Sequence, residues 1–179
     1  MSQPSLPLLS QWQLWQSSGV LIREATTRDW NEIWPFWHRI AVAAETYAWD
    51  AGTGPDEAHD LWMLSPPGRV YVAEDGTTIV GSAKLQPNYG PTSQVANASF
   101  IVHPDHAGRG IGRALVQHVI DQARDHGFRS MVFNAVVETN HNAVHLYVSM
   151  GFTILATVPE AFEHPQDGPV GLHIMYLKL

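Results

Sequence analysis

The sequence predicts one α/β (α+β) domain on a mixed sheet, not an alternating doubly wound domain. Three observations predict it. Short runs rich in β-branched and aromatic residues recur at 20–23, 70–74, 79–85, 95–102 and 130–137, as strands require. Asp75-Gly76 joins two of them as a hairpin signal, so at least one neighbouring pair is antiparallel. Helix-periodic segments fall irregularly between the strands instead of following each one.

Taken in order, residues 1–18 carry Pro4, Pro7 and many Ser and Gln, and read as an N-terminal arm with Trp12, Leu14 and Trp15 able to dock it. The domain proper is 19–179. After the first strand, Asp29 and Glu32 are spaced as a capping box, and 30–44 reads as a helix that either kinks or divides at Pro35. A Gly/Pro/Asp loop precedes a short helix at 58–64. Strands at 70–74 and 79–85 flank the hairpin, and 87–92 is a turn-rich loop. His103-Pro104 closes the strand 95–102. The next helix begins at Arg109 or Gly110 and runs to His126. Its residues Ile111, Leu115, Val119 and Ala123 recur every four positions on one face, and Gly127 stops it. A strand at 130–137 leads to a helix at 140–150, with Gly151 as its stop. The last strands, 152–158 and 172–179, enclose a loop with Pro, Gln and Asp.

With 179 residues, 45% of them hydrophobic, the chain can bury a sizeable core. It has no cysteine, which excludes disulfides, thiolate metal sites and a cysteine nucleophile. Ten histidines show no metal-ligand spacing, so no metal site is expected. The net charge of −7 gives no broad footprint for nucleic acid. No apolar run suits a membrane span, and residues 1–18 lack the pattern of a signal peptide, so a cytoplasmic protein is expected.

The segment Ala107-Gly108-Arg109-Gly110-Ile111-Gly112 carries most of the functional information. Glycines at every second position free the backbone for a tight turn. The helix that follows begins with N–H groups lacking intrahelical partners, and together they suit a phosphate. No Gly-Lys-Ser/Thr follows, so this is not a P-loop, and the glycine spacing is wrong for a dinucleotide fingerprint. On its own the turn also reads as a glycine-rich helix cap.

The run from Phe100 to Leu115, with His103-Pro104 and the glycine turn inside it, resembles the acyl-CoA-binding motif of the GCN5-related N-acetyltransferase (GNAT) superfamily. Downstream, Asn140-x-x-Ala143-x-x-Leu146-Tyr147-x-x-Met150-Gly151-Phe152 resembles that superfamily's second cofactor-side motif. The start Ile22-Arg23-x-Ala25-Thr26-x-x-Asp29 is compatible with both. The resemblance implies a central, mostly antiparallel twisted sheet flanked by helices, with strands splayed at the acyl-CoA site. It implies acetyl-CoA held by Ile101, Val102, Ala107, Gly108, Arg109, Gly110, Ile111, Gly112, Arg113, Asn140 and Tyr147. Members often carry Arg or Gln where this chain has Ala107, so binding is expected to rest on backbone amides. Arg109 and Arg113 either compensate or are solvated.

The resemblance further implies transfer of an acetyl group to the amine of a small molecule by direct attack, with a non-catalytic acyl-CoA-binding domain as the alternative. Tyr147 matches the general acid; it also reads as a core tyrosine beside Leu146 and Phe152. A backbone amide between Phe100 and Val102 is the expected oxyanion donor. Glu45 is the candidate base or a helix-end surface carboxylate, with water relayed by Thr46 or Asn134 as a further route. Glu138 and His145 are weaker choices. Tyr47 and Trp49 could wall an acceptor pocket. Asn134 interrupts an apolar strand and needs partners if buried; it is a substrate contact or a bulge amide. Asn140 is an N-cap candidate. Phe133-Asn134, Val137-Glu138-Thr139-Asn140, Gly151-Phe152 and Pro159-x-x-Phe162 resemble acetyltransferases that detoxify proline analogues such as azetidine-2-carboxylate. That tilts the acceptor toward a small amino acid. A homodimer is compatible with the family.

Overall fold

Residues 19–179 are described by a computed structural model, so the arm with Trp12, Leu14 and Trp15 lies outside the described residues. Seven strands form one sheet in the order β1-β2-β3-β4-β5-β7-β6. They are β1 (Val20–Glu24), β2 (Arg69–Asp75), β3 (Thr78–Pro87), β4 (Val95–Val102), β5 (Ser130–Val137), β6 (Thr153–His164) and β7 (Gly168–Lys178). Every neighbouring pair is antiparallel except β4 with β5. The helices are α1 (Trp30–Ala43), α2 (Pro55–Trp62), α3 (Ile111–Asp125) and α4 (His141–Ser149). This is the mixed, mostly antiparallel α/β architecture the sequence predicts.

The two faces of the sheet carry separate cores. On one, Leu115, Val116, Val119, Ile120 and Ala123 of α3 pack onto β3–β5, with Leu146 and Tyr147 of α4 beside them. The four-residue spacing read from the sequence is therefore the buried face of α3. On the other, Ile33, Phe36, Trp37 and Ala41 of α1 and Trp62 of α2 pack onto Val72, Ile79 and Ile101. Trp37 and Trp62 are fully buried, and truncating either to Ala costs about 3–5 kcal/mol by the usual cavity penalty.

Three local expectations shift. The capping box lies one turn earlier. Asp29 accepts from the Thr26 N–H (2.6 Å) and hydroxyl (3.1 Å), and no side-chain cap forms at Asp29 of α1. The reason is Arg23, whose guanidinium holds the Asp29 carboxylate at 2.7 Å and also reaches Glu74. Glu32 instead accepts from the Ile79 N–H at 3.2 Å, tying α1 to β3. Helix α1 runs through Pro35 without a break. The final hairpin is much longer than its composition suggests. Phe162↔Val170, Glu163↔Pro169 and His164↔Gly168 continue the ladder, and the expected loop shrinks to 165–167. Pro159 fits because β6 is the sheet edge and a register shift separates Val158 from Phe162, and Pro169 fits because it lies on β7 beyond the last pair with β5, Val137↔Leu172.

Candidate active site

Strands β4 and β5 pair only at Val95↔Ser130 and Ala96↔Met131, then separate. Backbone groups alternate sides along a strand. Phe100 points its N–H and C=O into the gap, so Ala98 and Val102 do the same, while Ile101 faces β3. Two side chains reach into the gap. The Tyr47 hydroxyl donates to the Phe100 carbonyl (2.9 Å) and accepts from the Phe100 N–H (3.0 Å). Asn97 donates to the Val132 carbonyl at 2.8 Å. A cleft of ≈ 1080 Å³ extends from here, lined at one end by the glycine turn and at the other by residues 45–49.

At the turn, Gly108 and Gly110 have φ of +77° and +82°, the left-handed region that disfavours side chains. The first helical bond is from the Ala114 N–H to the Gly110 carbonyl (3.0 Å). Among the described residues, no acceptor is present for the N–H groups of residues 108–113. These six amides stand at the positive end of a 15-residue helix. Side chains contribute less. Ala107 brings no polar group to the wall. The Ile111 side chain belongs to the core, leaving its amide. Arg113 lines the cleft and donates to Ser149 Oγ at 2.8 Å. Arg109 does not line it and instead pairs with Asp75 at 2.8 Å. Arg39 of α1, absent from the sequence-derived set, reaches the same wall while paired with Asp105 (2.8 Å). Of the two β4 residues named from sequence, Val102 opens its backbone to the gap. Ile101 commits its side chain to the core.

Helix α4 supplies the facing wall. Asn140 is its N-cap, with Oδ1 accepting from the Ala143 N–H at 3.2 Å. Two turns along, Tyr147 packs against Phe133, Phe100 and Phe152, at ring separations of 4.6, 6.2 and 5.9 Å. Burial holds its pKa well above the ordinary tyrosine value, and the nearby Tyr47 adds to the shift. The hydroxyl is thus a proton reservoir at neutral pH, with no hydrogen-bond partner among the described residues.

The far end is built from side chains. Tyr47 stacks on Trp49 (3.9 Å, 7°), and Trp49 stacks on Trp37 (4.5 Å, 18°). Burial pushes the Tyr47 pKa up to about 12. Glu45 and Thr46 line the cleft beside them. The β6–β7 hairpin tip reaches over, with Gln166 Nε2 3.4 Å from Glu45 Oε1. Asn134 sits where β5 shifts register and exchanges hydrogen bonds with Asn88, at 2.6 and 3.2 Å. It is thus both a bulge amide, bonded across to the turn after β3 rather than locally, and a cleft residue. Phe162, Leu172, Ser99 and Lys84 also line this end, and sequence reasoning missed all four. Lys84 donates to the Leu61 carbonyl at 2.8 Å and lies 5.3 Å from the Trp62 ring centre. Burial lowers its pKa. Glu138 and His145 are not brought to the cleft. Glu138 accepts from the Gly171 N–H and binds β5 to β7. Among the described residues, no three His, Asp or Glu side chains group as a metal site, and no helix is long and apolar enough to cross a membrane.

Comparison with known proteins places the chain in a family. A solved GCN5-related N-acetyltransferase from Kribbella flavida is 47% identical, with a TM-score of 0.87 over 91% of this chain and 99% of that one. The yncA structure from Salmonella typhimurium, solved with its cofactor acetyl-CoA, is 26% identical, with a TM-score of 0.75 over 90% of this chain and 94% of that one. Among curated proteins, the L-amino acid N-acyltransferase MnaT of Escherichia coli is 34% identical over 93 residues, 51% of this chain and 54% of that protein. The N-acetyltransferase aca1 of Schizosaccharomyces pombe is 36% identical over 86 residues, 48% of this chain and 41% of that protein. These matches span about half of those curated relatives. The acetyltransferase (GNAT) family model matches residues 25–152, which hold strands β2 to β5 and helices α1 to α4, and begin just after β1. The chain belongs to the acetyltransferase (GNAT) family.

Proposed function

We propose that this chain transfers an acetyl group from acetyl-CoA to the amine of a small molecule, with both bound in the one cleft. The observation that carries the reading is the run of six acceptor-free amides, 108–113, all but that of Arg109 belonging to residues that line the same cleft as Tyr147. The residues fit a CoA ester. The amides and the N-terminus of α3 suit its pyrophosphate. The backbone of Ala98 and Val102 suits an extended, amide-bearing arm laid along β4 like an added strand. Asn140 and Arg113 flank that path.

Bound acetyl-CoA supplies an activated acyl carbonyl and a thiolate leaving group. The chain's residues do the rest. Tyr47 already occupies the Phe100 N–H, so Val102 offers the free donor for the carbonyl oxygen. Tyr147 delivers its proton to the departing sulfur as the C–S bond breaks and the C–N bond forms. Glu45, directly or through water near Thr46 and Asn134, takes the proton the amine loses. The Tyr47–Trp49 stack gives the acceptor an apolar wall. A small amino acid or a proline-type analogue is the favoured acceptor. Support comes from MnaT and from a Salmonella typhimurium L-methionine sulfoximine/L-methionine sulfone acetyltransferase that is 32% identical over 93 residues.

The test is incubation of the protein with acetyl-CoA and a panel of small amines, following thiol release and the acetylated product. Turnover with at least one amine is expected. Tight CoA binding with no turnover on any amine would leave an acyl-CoA-binding module instead.

A further inference from the structure

The cleft's ionisable side chains are unevenly placed. Its acidic member is Glu45. Arg39 is paired with Asp105, and Arg113 stands at the glycine turn with Ser149 as its partner. Lys84 is different. Its ammonium has three N–H donors, and the structure gives it one acceptor, the Leu61 carbonyl, plus the face of Trp62. Among the described residues no carboxylate lies within ion-pair distance of it. A half-buried cation without an anion is costly, and its one hydrogen bond in the fold, to a last-turn carbonyl of α2, brings it no countercharge. Its β4 ladder partner is Ser99, next to the Phe100 whose backbone Tyr47 holds.

Its position separates it from the cofactor's phosphates. The glycine turn follows Val102, whose ladder partner is Gly81. Lys84 lies three residues further along β3, about 10 Å by the rise of a strand. It also lies on the sheet face that carries Trp62 and Ser82, beside the Tyr47–Trp49 wall. The acceptor end therefore holds one anionic group, Glu45, and one cation lacking an anion, Lys84. That pair of charges complements a zwitterion: an amine at the carboxylate and a carboxylate at the ammonium.

We propose that Lys84 anchors the acceptor's carboxylate, which makes a free α-carboxyl group a requirement for a good substrate. This rests on the acetyl-transfer reading above. Two of the three ammonium donors remain for the incoming carboxylate. The Trp62 ring and the Leu61 carbonyl both hold the ammonium head. Neutral amines and amino acid amides would leave the cation uncompensated and be selected against.

The experiment uses the full chain and matched probes, the common L-amino acids and L-proline against their carboxamides, with kcat/KM measured for each pair. In the wild type, every accepted acid should exceed its amide by about tenfold or more, the worth of one charge-assisted bond. Lys84→Met, which keeps an unbranched side chain but removes the charge, should lower the acid-to-amide ratio about tenfold, and Lys84→Arg should largely restore it. Comparing ratios between proteins cancels differences in amine basicity and any general loss from packing. Amides turned over as well as acids by the wild type, or a ratio unmoved in Lys84→Met, would overturn the proposal. The wild-type ratio decides the matter even where Lys84→Met fails to fold. Turnover of amines with no acid preference defeats the Lys84 assignment alone. An absence of all turnover defeats the acetyl-transfer reading on which it stands.

Discussion

The two ends of the cleft are built from different materials. In the proposed reading, the cofactor end uses main-chain N–H groups from one continuous stretch, residues 108–113, presented by a helix terminus, and the opposite end takes the acceptor. The acceptor end uses side chains from five separate places: 45–49, Lys84, Ser99, Asn134 and the hairpin residues 162–172. A backbone site tolerates side-chain change, as Ala107 illustrates, but not a change in φ. A side-chain site is the reverse, since its chemistry changes with each member exchanged while the backbone path can stay the same. One end can thus stay generic while the other is free to set which amine is used.

The largest expected effect falls where the two ends meet. Tyr147 stands on a cofactor-side helix with its hydroxyl in the shared cleft. Tyr147→Phe removes the proton donor and leaves the aromatic packing, so kcat should fall about 100-fold or more, with the KM for acetyl-CoA nearly unchanged. Single-turnover thiol release measures it directly. A retained kcat would reduce Tyr147 to a core residue and leave the two ends without a chemical link.

The next effect concerns what anchors the acceptor end. Helix α1 leads straight into residues 45–49, and Asp29 fastens its start through Arg23 and Thr26. The guanidinium beside it lowers the Asp29 pKa to about 2. A carboxylate depressed in the folded state adds stability above its unfolded value near 3.9 and loses it as pH falls through the folded value. The contribution, about 2 kcal/mol by linkage, should be whole at pH 6 and fade between about pH 5 and pH 2. Asp29→Asn should therefore be less stable than wild type at neutral pH. The gap in urea midpoints should close on acidification, and a gap constant with pH would show that charge plays no part. Any loosening that reaches the cleft is expected in the acceptor KM before the acetyl-CoA KM.

A third change probes the backbone end. Gly110 has φ +82° and open space where a Cβ would stand. Gly110→Val therefore meets no clash, and its penalty is conformational, about 1–2 kcal/mol for a β-branched residue forced from its preferred backbone region. The KM for acetyl-CoA should rise about tenfold, while the acceptor's KM stays close to wild type. Equal shifts in both would mean that the ends are not separable.

The same difference governs what could be read from the sequence. The glycine turn before α3, the Asn140 cap and the helical setting of Tyr147 were legible as structure because their signals are local: spacing along one strand-turn-helix segment fixes them. The capping box was misplaced by three residues because Arg23, distant in the chain's local pattern, captures Asp29. The hairpin tip was missed because Pro159, Pro165, Gln166 and Asp167 have loop composition, although Phe162, Val170 and Leu172 were there to pair across an edge. Lys84 was invisible for a related reason. A lysine in a strand reads as a solvent-facing residue until helix α2 is seen to cover it. Glu138 looked chemical and proved structural, because only the fold reveals that Gly171 claims its carboxylate.

The smallest predicted effect lies at Tyr47, and its size follows from where its partners sit. Tyr47→Phe keeps the stack on Trp49 but strips the Phe100 N–H and C=O of the hydroxyl that serves both. Orphaning two fully buried groups would cost several kcal/mol, yet these groups face a cleft that water can enter, so a loss of about 1 kcal/mol in unfolding free energy is expected. Freeing the Phe100 N–H also gives the gap a second donor beside Val102. The KM for acetyl-CoA should then fall or hold while the acceptor's KM rises a few-fold, because the wall built by the Tyr47 ring loses its tether. A drop of several kcal/mol would mean that the hydroxyl holds β4 itself in place. The two ends would then share a backbone support as well as a cleft.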